Sequence, residues 1–224
     1  SSTVSANTTS GFSIVKYTGT GANATVGHGL GVAPKMVIIK KLNASDSWIV
    51  YHKNASTVVN YLMLNTTDGE SGNATAFNST HPTSSVFSLG SFTKSNGSGN
   101  TFIAYCFADV QGFAKFGGYT GNGSTDGTFV YTGFKPAFVM VKYTSGDGNQ
   151  WGIADNKRGV APSGEFLFAD SSGATNAAVN NFDFLSNGFK SRADYATMNT
   201  SGGSYIYMAF ASEPLVGDNP ATAR

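Results

Sequence analysis

The stretch GNTFIAYCFAD (Gly99–Asp109) is rewritten as GGSYIYMAFAS (Gly202–Ser212), and the repetition governs what this chain can fold into. Gly99/Gly202, Ile103/Ile206, Phe107/Phe210 and Ala108/Ala211 are identical. The match continues in order along the chain. YTGTG at Tyr17 returns as YTGNG at Tyr119, Pro34 as Pro136, MVIIK (Met36–Lys40) as FVMVK (Phe138–Lys142), and Trp48 as Trp151. YLMLN at Tyr61 is answered by EFLFAD from Glu165. A period of about 102 residues is too long for a solenoid repeat and suits a duplicated small domain. The expected organisation is a linker over 1–10, a first β lobe over 11–110, its duplicate over 111–213, and a tail over 214–224. Pro34 is expected to overlay Pro136, Trp48 to overlay Trp151, and Ile103 to overlay Ile206.

Within each copy the strands are legible. KMVIIKKL and AFVMVKY are continuous apolar runs, the pattern of strands covered on both faces. TFIAYCFA is apolar on both alternating faces and should be central, with a second layer packed closely over its small side. SWIVYH and QWGIAD read as hairpin arms, and no long segment has helical periodicity. Charged residues are only 12% of the chain, so Ser, Thr, Asn and 28 Gly must supply surface and turns. The fold class is all-β: two tandem β-sandwich-like lobes of about 100 residues each. A net charge of +1 with scattered Lys and Arg gives no footprint for nucleic acid. No run is long and apolar enough for a membrane helix, so no membrane insertion is expected. The opening SSTVSANTTSG reads as a polar linker at the cut edge of a longer protein.

Little of the chain reads as chemistry. The GxG spacings of GTGANATVGHGLG precede no helix and read as turns rather than a phosphate cradle. There is no GxSxG elbow and no HExxH pair. His28, His52 and His81 lack metal spacing and read as loop histidines. Asp68, Glu70 and Asp147 lack the spacing of a calcium loop. No metal or cofactor is expected, and no catalytic residue is assigned. Cys106, matched by Ala209, reads as a small buried core position, reduced and inert. The densest functional-looking patch is WGIADNKRG: Trp151, Asp155 and Arg158 would make an aromatic platform with polar neighbours, as a sugar site needs. Trp48 and His52 are the corresponding candidates in the first lobe. The competing structural reading places both tryptophans in the core and pairs Asp155 with Arg158 across a turn. The long loops, which differ between the copies, are where binding would be expected.

GFSIVKYTGTGANATVGHGLGVAPKMVIIK, TDGTFVYTGFKPAFVMVK, WGIADNKR and SYIYMAFASEPLVG…TAR resemble the C-terminal region of tail-fibre-like proteins of marine bacteriophages, from about Thr3 to Arg224. The resemblance implies a virion surface protein with a structural role and host-surface or glycan recognition. It also implies other fibre domains as partners and a homotrimer in the intact fibre. It transfers no binding or catalytic residue. The expected function is a non-enzymatic appendage module. A secreted lectin-like carbohydrate-binding protein and a fibre-borne glycan hydrolase are the alternatives.

Overall fold

The protein is all-β. The computed structural model describes residues 2–158, 165–174 and 182–214. Two compact units divide the chain: Ser1–Asn65 with Glu70–Asp109, and Thr66–Gly69 with Val110–Arg224. The second unit thus includes a four-residue segment that the sequence places among the residues of the first.

The first unit contains β1 (Ser2–Asn7), β2 (Phe12–Thr18), β3 (Ala24–Gly27), β4 (Met36–Lys41), β5 (Ile49–His52), β6 (Asn60–Met63), β7 (Ser71–Gly72), β8 (Val86–Leu89), the one-turn helix α1 (Thr93–Asn96) and β9 (Thr101–Phe107). Seven strands form a sheet in the order β1-β2-β9-β4-β5-β6-β7, and β3 pairs with β8. The period-two alternation of β9 sends Phe102, Ala104 and Cys106 into a core shared with Val15, Val37 and Ile39, and Val26, Phe87 and Leu89 close that core from the small sheet.

The second unit contains β10 (Ala114–Thr120), β11 (Phe129–Tyr131), β12 (Pro136–Tyr143), β13 (Gly152–Asp155), β14 (Leu167–Phe168), β15 (Phe182–Leu185), β16 (Gly188–Ser191), α2 (Ala196–Asn199) and β17 (Ser204–Ala211). Its sheets run β10-β17-β12-β13-β14 and β11-β16-β15. The run β2-β9-β4-β5-β6 therefore has the same order as β10-β17-β12-β13-β14, and β9 and β17 are both interior, as their two apolar faces require.

The repeated YTGxG motif has a structural task in each unit. Tyr17 Oη donates to the Ser95 carbonyl at 2.6 Å, and Tyr119 Oη donates to the Met198 carbonyl at 2.7 Å. The Asn96 side chain accepts from the Thr20 N–H and donates to the Ala22 and Gly90 carbonyls. Asn199 accepts from the Asn122 N–H and donates to the Ser124 and Ala193 carbonyls. The loop lies so close to the segment after the helix that a Cβ on Gly19 would sit 2.3 Å from the Gly97 oxygen, and one on Gly121 2.4 Å from the Thr200 oxygen. These glycines serve close backbone approach.

Three expectations need correction. Residues 1–10 are not a linker throughout: Ser2–Asn7 is an edge strand, registered from Ser2↔Tyr17 to Asn7↔Phe12. The Asn7 carboxamide accepts the Ser10 N–H and shapes the connecting turn. All six strand residues are exposed, so backbone pairing alone builds the strand and no apolar alternation announces it. Second, His52 is not a loop histidine but lies in β5, while His28 follows β3 in a loop. His28 Nε2 bonds the Thr83 carbonyl, its Nδ1 accepts from the Leu30 N–H, and both rings are buried. Third, the lobes are not contiguous segments, because Thr66–Gly69 belongs with the second unit, where the Gly69 N–H donates to Asp147 Oδ1 and the Gly148 N–H to the Thr67 carbonyl. Of the tail over 214–224, residues 215–224 lie outside the described residues.

Candidate functional site

The sequence-predicted site residues are held in structural roles. Trp151 is only 1% exposed, so its ring is no platform for a ligand. Its backbone N–H donates to Asp170 Oδ1, and the Lys142 ammonium lies 5.8 Å from its ring centroid. Asp155 and Arg158 pair across a turn, Nε to Oδ2 at 3.0 Å, while Asp155 Oδ1 accepts the backbone N–H groups of Lys157 and Arg158. These contacts hold the Asp155 carboxyl below the usual carboxylate range against the opposing effect of its burial. Trp48 is half-buried, stacks on Tyr105 with 6.5 Å between centroids, and has Lys40 Nζ 5.9 Å from its ring. His52, in β5, accepts the Asn54 N–H at Nδ1.

Loop carboxylates are similarly engaged. Glu70 accepts the Ser56 N–H and the Asn60 side-chain amide. Among the described residues no cluster of three His, Cys, Asp or Glu is placed to hold a metal ion. A cleft of about 270 Å³ in the first unit is lined by Ser2, Tyr17, Thr18, Thr25 and Asn96. The Tyr17 and Asn96 polar groups there are already committed to main-chain partners.

The outward face of β11-β16-β15 is different. Val130↔Phe189 is its buried pair, and Val26↔Phe87 is the equivalent buried pair of β3 and β8. On the other side, the first unit sets Thr25 opposite Ser88, itself buried, and Gly27 opposite Val86. The second sets Phe129 opposite Lys190 and Tyr131 opposite Gly188. Phe129 is 44% exposed and Tyr131 65% exposed, although large aromatics in a sheet normally turn inward. Phe129 leans over Gly188: a Cβ there would meet Phe129 Cε2 at 2.9 Å and the Val130 oxygen at 2.1 Å. The glycine lets the ring lie down on the sheet.

Charges continue the row. Lys190 is opposite Asp183 on β15, and Lys190 Nζ contacts Asp126 Oδ1 at 2.6 Å. Arg192 reaches the same Asp126 oxygen through Nη1 at 3.2 Å and Asp183 Oδ2 through Nε at 2.5 Å. The Lys190 hydrogen bond, with Arg192 adding its charge, holds the Asp126 carboxyl below its ordinary value. Two outward aromatics beside alternating cations and carboxylates can stack against the apolar face of a ring and hydrogen-bond its polar substituents.

A family model matches residues 1–214. The chain belongs to this family, described as a domain of unknown function (DUF7483). No curated protein matches, and no solved structure matches.

Sequence reasoning missed Phe129 and Tyr131 because TFVYTG is a short apolar run that looks like any buried strand. The repeat carries no signal for them, since a shift of 102 residues sets His28, outside β3, against Val130.

Proposed function

We propose that this chain is a non-enzymatic recognition module of a virion appendage, exposed on the virion surface, that binds a host cell-surface glycan or other envelope component on the outward face of β11-β16-β15. The observation that carries the reading is the Phe129/Tyr131 pair beside the Asp126–Lys190–Arg192–Asp183 ladder, on strands whose counterparts in the first unit carry Thr25, Ser88 and Gly27 instead. The core needs none of these outward groups. A stacking platform with flanking donors and acceptors suits a pyranose ring, whose faces are apolar and whose rim is hydroxylated. The resemblance to tail-fibre-like proteins supplies the virion setting, other fibre domains as neighbours, and a homotrimer for the intact fibre, in which linked weak sites gain avidity.

Ion pairing disfavours hydrolysis at this face. The Asp126 carboxyl, held low by Lys190, is no proton donor at neutral pH. Incubation with host envelope polysaccharide tests the reading. Retention without chain shortening, lost in Tyr131→Ala at unchanged melting temperature, is the expected result. Shortening would identify a hydrolase, and no retention would leave a structural spacer. Light scattering on the full-length protein tests the trimer, which a full-length monomer would exclude.

A further inference from the structure

Resting on that glycan-binding reading, we infer that the face selects a carboxylate-bearing saccharide, a uronate, and that the Asp126 side chain occupies the ligand carboxylate position until ligand displaces it. Lys190 is set into the sheet and Arg192 follows it at the strand end, 42% exposed, whereas the anion they hold stands further out in solvent. Lys190 is 20% exposed and lies within β16, while Asp126 is 76% exposed and comes from the loop before β11. A single oxygen, Asp126 Oδ1, takes both Lys190 Nζ and Arg192 Nη1. The pair of cations already holds a carboxylate in place.

The loop does not depend on that carboxylate. The Asn122 side-chain amide donates to the Asp126 carbonyl, the Asp126 N–H donates to Ser124 Oγ, and the Gly127 N–H donates to the Ser191 carbonyl. The Asp126 side chain can rotate away with its main chain still anchored. Among the described residues Lys190 and Arg192 then share Asp183, two cations to one carboxylate, which leaves a positive charge for an incoming anion. Phe129 is directly opposite Lys190, at a cross-strand spacing of about 5 Å. In a uronate the carboxylate is one bond from the pyranose ring. A ring lying on Phe129 and Tyr131 therefore brings its carboxylate to the two cations. A neutral hexose cannot supply the charge that displaces Asp126, so competition from Asp126 adds discrimination against it.

The test uses polygalacturonate, alginate and hyaluronan, each beside its carboxyl-reduced neutral form, with the intact chain immobilised. Wild type should retain at least one uronate polymer about tenfold or more tightly than its reduced form, with retention weakening as salt rises. Asp126→Ala should tighten uronate retention about five- to tenfold by removing the internal competitor. Lys190→Met should abolish the preference, and circular dichroism melting should show both variants folded. Equal retention of both forms, with no gain in Asp126→Ala, overturns the carboxylate inference and leaves glycan binding standing. Retention of host polysaccharide but of no uronate polymer does the same. Failure to retain host polysaccharide or any probe overturns both.

Discussion

The Asn199 side-chain amide donates to the Ser124 main-chain carbonyl at 2.7 Å, tying the loop after β10 to the end of α2. The same amide group also serves Ala193, while its oxygen takes the Asn122 N–H. Alanine at this buried position leaves several main-chain groups without partners. Asn199→Ala, and likewise Asn96→Ala, should each lower stability by about 3 kcal/mol in urea denaturation. Asn199→Asp should be no better, because a carboxylate presents acceptors where two carbonyls need donors. A loss under about 1 kcal/mol would remove the clamp from any account of stability.

The two clamps should be interchangeable in the bonds that Asn96 and Asn199 make. Thr20→Asn with Ala22→Ser writes the second loop into the first unit, and Asn122→Thr with Ser124→Ala does the reverse. Since the Asn96 and Asn199 bonds run to main-chain atoms or to a side-chain oxygen that Thr and Asn both supply, the first exchange should change stability by less than about 1 kcal/mol. The second also takes the Asn122 amide from the Asp126 carbonyl and Ser124 Oγ from the Asp126 N–H, and should cost about 1–2 kcal/mol. Gly19→Ala and Gly121→Ala, aimed into carbonyl oxygens, should each be far more damaging than the double exchange. An exchange as harmful as the glycine variants would argue against equivalent units and against a duplication.

Cys106 is a free thiol at full burial on β9, and that burial pushes its pKa up to about 12. Thiolate-specific reagents at pH 8 should label it only as fast as the first unit opens, and within seconds in denaturant. The sign of the linkage follows from the raised value. The thiol's contribution to stability is whole below the unfolded pKa near 9 and is lost as pH climbs toward 12. Rapid native labelling would place the sulfur at the surface.

Lys142 works in the opposite direction. Burial lowers its pKa from 10.5 to about 8, although Asp170, Asp68 and Asp147 oppose the shift. Below pH 8 both folded and unfolded chains hold the proton, and the fold bears the cost of the buried charge. Between 8 and 10.5 the folded chain releases it first, so stability rises with pH. Relative to Lys142→Met, wild type should gain about 1.5 kcal/mol between pH 8 and 9.5 in unfolding free energy at matched pH. Cys106 titrates alike in both proteins and cancels in the difference. A flat difference curve would mean that water reaches the ammonium.

The sequence made β9 and β17 legible because a strand apolar on both faces must be interior, and Cys106 because an Ala shares its place. It hid β1, whose Ser2–Asn7 buries nothing and exists through main-chain pairing to β2. The helices escaped because four residues are too short to show a period. Trp151 drew attention as a binding platform for the property that buries it, a large apolar ring. Tyr131 was overlooked for the converse reason: alternation says that two faces differ, and tertiary packing alone says which face is covered.

Val130↔Phe189 holds the second unit's small sheet together from within, and the outward sides of the same strands carry Phe129, Tyr131 and Lys190. Inheritance can treat these two sides separately. Substitutions at Phe129, Tyr131 or Lys190 leave the inner pair's side chains untouched, so a lineage can drift across many combinations there while remaining folded, with Gly188 held fixed by the Val130 oxygen beneath it. Under proposed host recognition, a change of host then requires a handful of codons and no new architecture. Escape by the host and pursuit by the binder would be written on one face of three short strands.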